Sequence, residues 1–215
     1  MKEVVREGYD ALIFDLDGTL WNVNECCTDA WNIVLEELGY DRRIAPEEMN
    51  SCTGMPMDDI MKALLPGINH HHDELYIRFN SKEEELIGRQ GTYLYRGMKE
   101  GITELSGHFR VFIVSNCQGW YLNRFLDYSG IKERFSGWDC YGDSGMEKHL
   151  MISAMKEKNG IKRAIYIGDT LFDRDSACKS GTDFLQVTYG FGKPIDGEKH
   201  FAAFSDLREF LILRG

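Results

Sequence analysis

No stretch of this sequence is apolar for long enough to span a bilayer, which takes about 20 residues. The first ten residues scatter charge through themselves and hold no apolar core, so they do not read as a secretory signal. None of the six cysteines, Cys26, Cys27, Cys52, Cys117, Cys140 and Cys178, stands in a C-x-x-C pair or a regular framework. That is the usage of reduced thiols, and a cytoplasmic location is the expectation. A basic cluster is missing too: 25 lysines and arginines face 35 aspartates and glutamates, a formal charge of −10. A phosphate-backbone binder would be repelled at that balance, so nucleic acid is excluded as a partner, and nothing points to a membrane. There is no internal repeat, low-complexity tract or linker.

What is present is an ordinary globular composition, 43% apolar and 28% charged over 215 residues, long enough for one full domain and a smaller insertion. The stretch from Ala11 to Leu20 places four apolar residues ahead of Asp15, Asp17 and Gly18. It reads as a buried parallel strand with a charged end, its two carboxylates on one side. A loop over 18–24 leads to four helical patterns: about 25–38, one opening at Pro46, 57–65, and a charged run over 70–89. No strand is expected between 24 and 91. Beyond 95 the texture alternates, with helices at 98–105, 120–128 and 148–158, another closing at Gly181, and a last one over 206–213 capped by Ser205. Strands are expected at 111–114, 164–167 and 184–187. The reading is an α/β Rossmann-like parallel sheet with helices on both faces and a small all-helical cap inserted after the first strand. The core would be 1–23 with 92–215, and the cap 24–91.

Open parallel sheets bind ligands outside the carboxyl ends of their strands. Here those ends deliver Asp15 and Asp17, then Ser115 and Asn116, then Asp169 with Asp173 four residues on, while Lys148 starts a helix within reach. Carboxylates alone would repel an anionic substrate, by ~4 kcal/mol per charge pair at 4 Å and an effective dielectric of ~20. An all-oxygen donor set suits Mg2+, held by Asp15 and Asp169, with Lys148 as a second cation. Asp15 then becomes a usable nucleophile and Asp17 a general acid and base. Ser115, Asn116 and the backbone N–H groups after Asp17 are expected to donate to phosphate oxygens.

These residues carry a resemblance. Asp15-Leu16-Asp17-Gly18-Thr19, Val114-Ser115-Asn116, Lys148, and Gly168-Asp169-Thr170-Leu171-Phe172-Asp173 resemble the four motifs of the haloacid dehalogenase-like hydrolase superfamily, in order. The insertion resembles its helical cap, and Gly54-Met55-Pro56-Met57 the cap loop of its phosphoglycolate phosphatase-like branch. The resemblance implies an aspartyl-phosphate on Asp15, acid and base work by Asp17, and Mg2+ held by Asp15, the backbone carbonyl of Asp17 and Asp169. It also implies phosphate contacts from Gly18, Thr19, Ser115, Asn116 and Lys148, and cap specificity from Thr53, Gly54 and Met55. The expected function is hydrolysis of a small phosphorylated metabolite by a monomer or weak homodimer. A sugar phosphomutase and a silent phosphometabolite-binding relative stand as alternatives. Departures from the family pattern are Lys148-His149 in place of Lys-Pro, Arg96-Gly97 in place of Pro-Gly, and Asn22 in place of an aspartate.

Other readings attach to single residues. Lys156 and Lys158 lie near Lys148 as alternative cations, and Ser115 could cap the following helix. Asp173 is expected to orient the loop or Lys148 rather than touch a metal. His70-His71-His72 face different sides of a helix and read as solvated cap surface. Cys117 lacks a basic partner and reads as small filler. Trp31, Trp120 and Trp138 are expected in packing, and Trp21 at the entrance.

Overall fold

The computed structural model describes residues 8–68, 72–90 and 93–213. Its elements run β1 (Ala11–Phe14), β2 (Trp21–Asn22), α1 (Asn24–Glu37), α2 (Pro46–Cys52), α3 (Met57–Leu64), α4 (His72–Gln90) and β3 (Tyr93–Leu94). They continue with α5 (Met98–Leu105), β4 (Arg110–Ser115), α6 (Gly119–Ser129), β5 (Gly137–Cys140), α7 (Tyr141–Ser144), α8 (Lys148–Lys158) and β6 (Ala164–Gly168). The chain closes with α9 (Leu171–Lys179), β7 (Asp183–Val187), β8 (His200–Phe201) and α10 (Phe204–Leu213).

Six strands form one parallel sheet in the order β5-β4-β1-β6-β7-β8. The central strand β1 has no exposed face, which is why its sequence runs apolar without alternation. Leu12 and Phe14 join Val111, Ile113, Ile165 and Ile167 on the side packed by α5, α6 and α10. Ala11 and Ile13 join Phe112, Val114 and Tyr166 against α8 and α9. The registers Phe14 to Ile113 and Phe14 to Ile167 bring three strands to their carboxyl ends together. The sequence-separated groups after those strands therefore share one edge.

The helices α1 to α4 lie between β2 and β3, and β2 pairs antiparallel with β3 through Trp21 to Leu94 and Asn22 to Tyr93. This ribbon replaces the simple loop expected over 18–24. Trp31 of α1 stacks on Phe79 of α4, centroids 4.1 Å apart and rings 2° from parallel. Pro46 opens α2 where a missing N–H costs nothing, and Glu48 reaches back to accept from the Ala45 N–H at 2.9 Å. No strand interrupts α1 to α4 among the described residues.

Four of the six sheet strands, β1, β4, β6 and β7, lie where the apolar runs predict them. The other two are the edges: β5 carries Asp139 and buries only Cys140 fully, and β8 is two residues long. Neither has the apolar run that marks a central strand. Ser205 lies inside α10, one residue past its start, and not at a cap before Asp206. The expected 91/92 boundary, and His70 and His71 of the histidine run, lie outside the described residues. His72 is half-exposed and sits 3.4 Å from Asp58. No helix among the described residues is long and apolar enough to cross a membrane.

Candidate active site

Asp15 follows β1 directly and is completely buried, its N–H donating to the Ile167 carbonyl at 2.8 Å. Its Oδ1 accepts from Lys148 Nζ at 2.9 Å, and the same ammonium donates to Asp173 Oδ1 at 2.7 Å. Lys148 opens α8 with no exposed side-chain surface, and Lys156 donates elsewhere, to the carbonyls of Ser180 and Gly181. Asp173 also closes a capping box at the start of α9: its Oδ2 accepts from the Thr170 N–H and hydroxyl, at 3.0 and 2.6 Å. Both Asp173 oxygens are thus held by protein donors. The side chain joins the loop at the start of α9 to the lysine.

Asp169 is gripped from a side the sequence did not reveal. Its Oδ2 accepts from the backbone N–H groups of Phe191 and Gly192 at 2.7 and 3.1 Å. Buried Gln186 at the end of β7 fixes that loop, donating to the Asp169 and Lys193 carbonyls and accepting from the Ile195 N–H. Gly18 and Gly190 have to be glycines here, because a Cβ on either would overlap the Asp169 carboxylate.

Carboxylate oxygens of Asp15, Asp169 and Asp173 come within 4.8 Å of one another. Burial pushes the Asp15 carboxyl well up, Asp173, Asp17 and Asp169 push the same way, and Lys148 opposes them. Burial and then Asp173 raise Asp169 from 3.8 to about 7. For Lys148, burial is the largest influence and works against its charge, but Asp15 and Asp173 outweigh it and the net shift is upward. Two oxygens of this cluster, Asp15 Oδ2 and Asp169 Oδ1, are buried without a hydrogen-bond partner. A hard cation would satisfy both and offset the repulsion, so the donor set fits a divalent ion that prefers oxygen.

Asp17 sits apart from this cluster. Its Oδ1 accepts from the Tyr121 hydroxyl and from Trp21 Nε1, the latter at 3.1 Å. Burial lifts it from 3.8 to about 6 against those two donors. Trp21 is fully buried, edge-on to Tyr121 and Phe125, so it supports Asp17 and does not line an entrance. Its distance from the surface follows from the β2–β3 pairing, which turns the residue inward.

The turn after Asp17 is closed by its own backbone. The Gly18 N–H donates to Trp21 O at 3.0 Å and the Thr19 N–H to Leu16 O at 3.3 Å. These groups close the turn. Thr19 keeps a buried, partnerless Oγ1. Ser115 and Asn116 are buried at the end of β4, Ser115 does not cap α6, and Gln118 takes that position. Asn116 Nδ2 donates to the Gly54 carbonyl at 2.7 Å, tying core to insertion, while its Oδ1 has no partner.

Between insertion and core lies a cavity of ≈ 80 Å³ that touches the site through Asp17, Ser115 and Asn116. By the 10–15 Å³ each water needs, it holds roughly five to eight water-sized groups, the scale of a small metabolite. Thr53, Gly54 and Met55 all line it, although the Thr53 hydroxyl is committed to Asn24 and the Met49 carbonyl. Trp31 and Trp120 line it as well, whereas Trp138 is half-buried with Lys132 over its ring. Burial and its neighbour Cys140 push the Cys117 thiol well up, in keeping with filler. Glu83 of α4 was missed: it is buried on the cavity wall, accepts from Trp31 Nε1 at 2.6 Å, and is raised by burial from 4.5 to about 7. In the sequence it hides within a run of charged residues. Tyr121 had a signal, its place in the first turn of the helix after Ser115 and Asn116.

A family model described as "Haloacid dehalogenase-like hydrolase" matches residues 12–187. The pyrophosphatase PpaX of Listeria monocytogenes is 27% identical over 201 residues, covering 90% of this chain and 88% of its own. A solved structure from Lactobacillus plantarum, described as a candidate phosphoglycolate phosphatase, superposes with a TM-score of 0.82 at 23% identity, over 94% of this chain and 99% of its own. A haloacid dehalogenase-like family hydrolase from Streptococcus pneumoniae gives 0.80 at 22% identity, over 94% and 98%. With four-fifths of its length under the family model and this site at its sheet edge, the chain belongs to the haloacid dehalogenase-like hydrolases.

Proposed function

We propose that the protein is a magnesium-dependent phosphatase that hydrolyses a small phosphorylated metabolite through an aspartyl-phosphate on Asp15. The supporting observation is the buried trio Asp15, Asp169 and Asp173 around one ammonium, with two carboxylate oxygens left partnerless. Asp15 and Asp169, with the Asp17 backbone carbonyl, would hold the ion, which supplies positive charge that keeps the carboxylates ionised and neutralises an approaching phosphate.

Asp15 attacks phosphorus, and the bond from phosphorus to the ester oxygen breaks. The departing oxygen takes the proton carried by Asp17, whose raised value leaves a proton available near neutrality. Asp17, now ionised, takes a proton from water as that water attacks the aspartyl-phosphate. Phosphate leaves, and Asp15 is a carboxylate again. Lys148 holds the attacking carboxylate in place, and Asp173 holds Lys148. Tyr121 and Trp21 fix the side chain of Asp17. Asn116, Ser115 and Thr19 Oγ1 are the side chains available to phosphate oxygens. Residues 24–91 act as the cap over a core of 1–23 and 92–215, with the 53–55 loop against the leaving group and Asn116 bound to it. Closure shuts bulk water out of the first step.

The test is release of p-nitrophenol from p-nitrophenyl phosphate. Activity is expected with Mg2+, to vanish with EDTA and return on adding Mg2+, and to fall at least 10³-fold in Asp15→Asn. An Asp15→Asn protein that hydrolyses the ester at the parent rate overturns the covalent mechanism.

A further inference from the structure

The cavity beside the reaction centre has a charge composition that constrains what can leave. Cys27, Trp31, Met49, Met57 and Ile60 give it apolar walls. Its two ionisable carboxyl groups are Asp17 and Glu83, and no lysine, arginine or histidine lines it among the described residues. An anionic group placed there would be buried next to acids with no counter-ion, which costs more than any neutral occupant.

The donors on the wall point to the same conclusion independently. Trp31 Nε1 is spent on Glu83, Trp120 Nε1 on Asn80 at 2.8 Å, and the Tyr121 hydroxyl on Asp17. Asn24 gives its amide hydrogens to Asn50 and Thr53, and Asn116 gives one to Gly54. Gln118 is engaged by Tyr76, and Ser115 and Asn116 stand on the reaction-centre side, so little remains on the insertion side to solvate a carboxylate or a second phosphate. Acceptors remain in plenty, because a carboxylate offers about four lone-pair sites and Glu83 meets, among the described residues, Trp31 and Cys27. The stack of Trp31 on Phe79 holds this acceptor rigid on the insertion side of the chamber.

We propose that Glu83 determines specificity: the chamber takes phosphomonoesters whose leaving group presents an N–H or O–H donor and is neutral or cationic. It turns away leaving groups that bear a carboxylate or a second phosphate. Similarity to proteins named for pyrophosphate or phosphoglycolate thus does not extend to their leaving groups. The inference rests on the phosphatase reading above and names its substrate class.

A matched series of two-carbon esters tests it: 2-aminoethyl phosphate, 2-hydroxyethyl phosphate, ethyl phosphate and 2-phosphoglycolate, with inorganic pyrophosphate added. For the parent protein, kcat/KM is expected to be at least tenfold higher for the aminoethyl and hydroxyethyl esters than for phosphoglycolate or pyrophosphate. In Glu83→Gln the ratio of aminoethyl ester to phosphoglycolate should fall at least tenfold, mostly through KM. A parent that prefers phosphoglycolate or pyrophosphate overturns the proposal, as does an unchanged ratio in Glu83→Gln. p-Nitrophenyl phosphate separates the two levels. If it is cleaved while the series runs in the wrong order, only the selectivity fails; if no ester is cleaved with Mg2+ present, the phosphatase reading fails with it.

Discussion

Replacing Lys148 with methionine removes the one ammonium among three buried carboxylates and keeps the side chain's length and apolar stem. Its nitrogen donates to Asp15 at 2.9 Å and Asp173 at 2.7 Å, with no exposed surface on the lysine and at most 1% on either partner. Leaving a buried charge without its partner costs roughly 3–5 kcal/mol, and at 2–4 °C per kcal/mol for a chain of this size the melting temperature should fall roughly 6–20 °C. Thermal unfolding followed by far-ultraviolet circular dichroism, in EDTA at pH 7.5, reads this directly. The deficit should shrink as the pH is lowered, because burial pushes the Asp15 carboxyl up and a proton there removes one of the two charges that Lys148 matches. Mg2+ should recover part of the loss, through Asp15 but not through Asp173, whose oxygens are already committed. A Lys148→Met protein that melts within about 2 °C of the parent at pH 7.5 in EDTA would refute the idea that this ammonium balances the cluster.

Glu83 gives a pH dependence of known sign. An acid raised by folding from 4.5 to about 7 binds more protons in the folded than in the unfolded state between those values, so stability falls as pH rises through that window. The shift corresponds to about 3 kcal/mol, and Glu83→Gln should lose that much less stability than the parent between pH 4.5 and 8 in urea titrations. Tyr121→Phe removes a hydrogen bond to a buried carboxyl, worth about 1.5–3 kcal/mol, and should lower kcat about 10–100-fold with KM little changed. A parallel rise in KM alone would instead mean that Tyr121 contacts substrate. Gln186→Leu strands two carbonyls and one N–H behind Asp169, and should weaken Mg2+ affinity, measured by calorimetry, about tenfold or more. Unchanged affinity would separate this loop from the metal site.

How far the sequence reached depended on whether a residue's surroundings were local. Asp15, Asp169 and Lys148 were legible because each stands at the end of an apolar strand or the start of a helix, and parallel topology brings such ends together. The helical insertion was legible because strand patterns stop between 24 and 91. Trp21 was misplaced because two ribbon residues carry no periodicity, yet their pairing decides which way the indole points. That the Gly18 and Thr19 N–H groups close a tight turn could not be read from the sequence, because their acceptors are set by how the ribbon folds back. Gln186 and Glu83 could not be found at all. A polar residue ending a strand and an acid in a charged helix look solvated until long-range packing buries them.

The β2–β3 ribbon makes the point where the insertion departs and the point where it returns into neighbours. Paired antiparallel residues lie only about 4.5–5.5 Å apart, the span of a tight hairpin turn. To the sheet, everything between Asn22 and Tyr93 is equivalent to a two-residue turn, and its closure entropy is borne at the ribbon. A change of length within α1 to α4 is therefore absorbed at the ribbon and leaves the register of β1 on β4 in place. The insertion supplies only one wall of the chamber, Glu83 included, so that wall can be rewritten while the aspartates beneath it are kept.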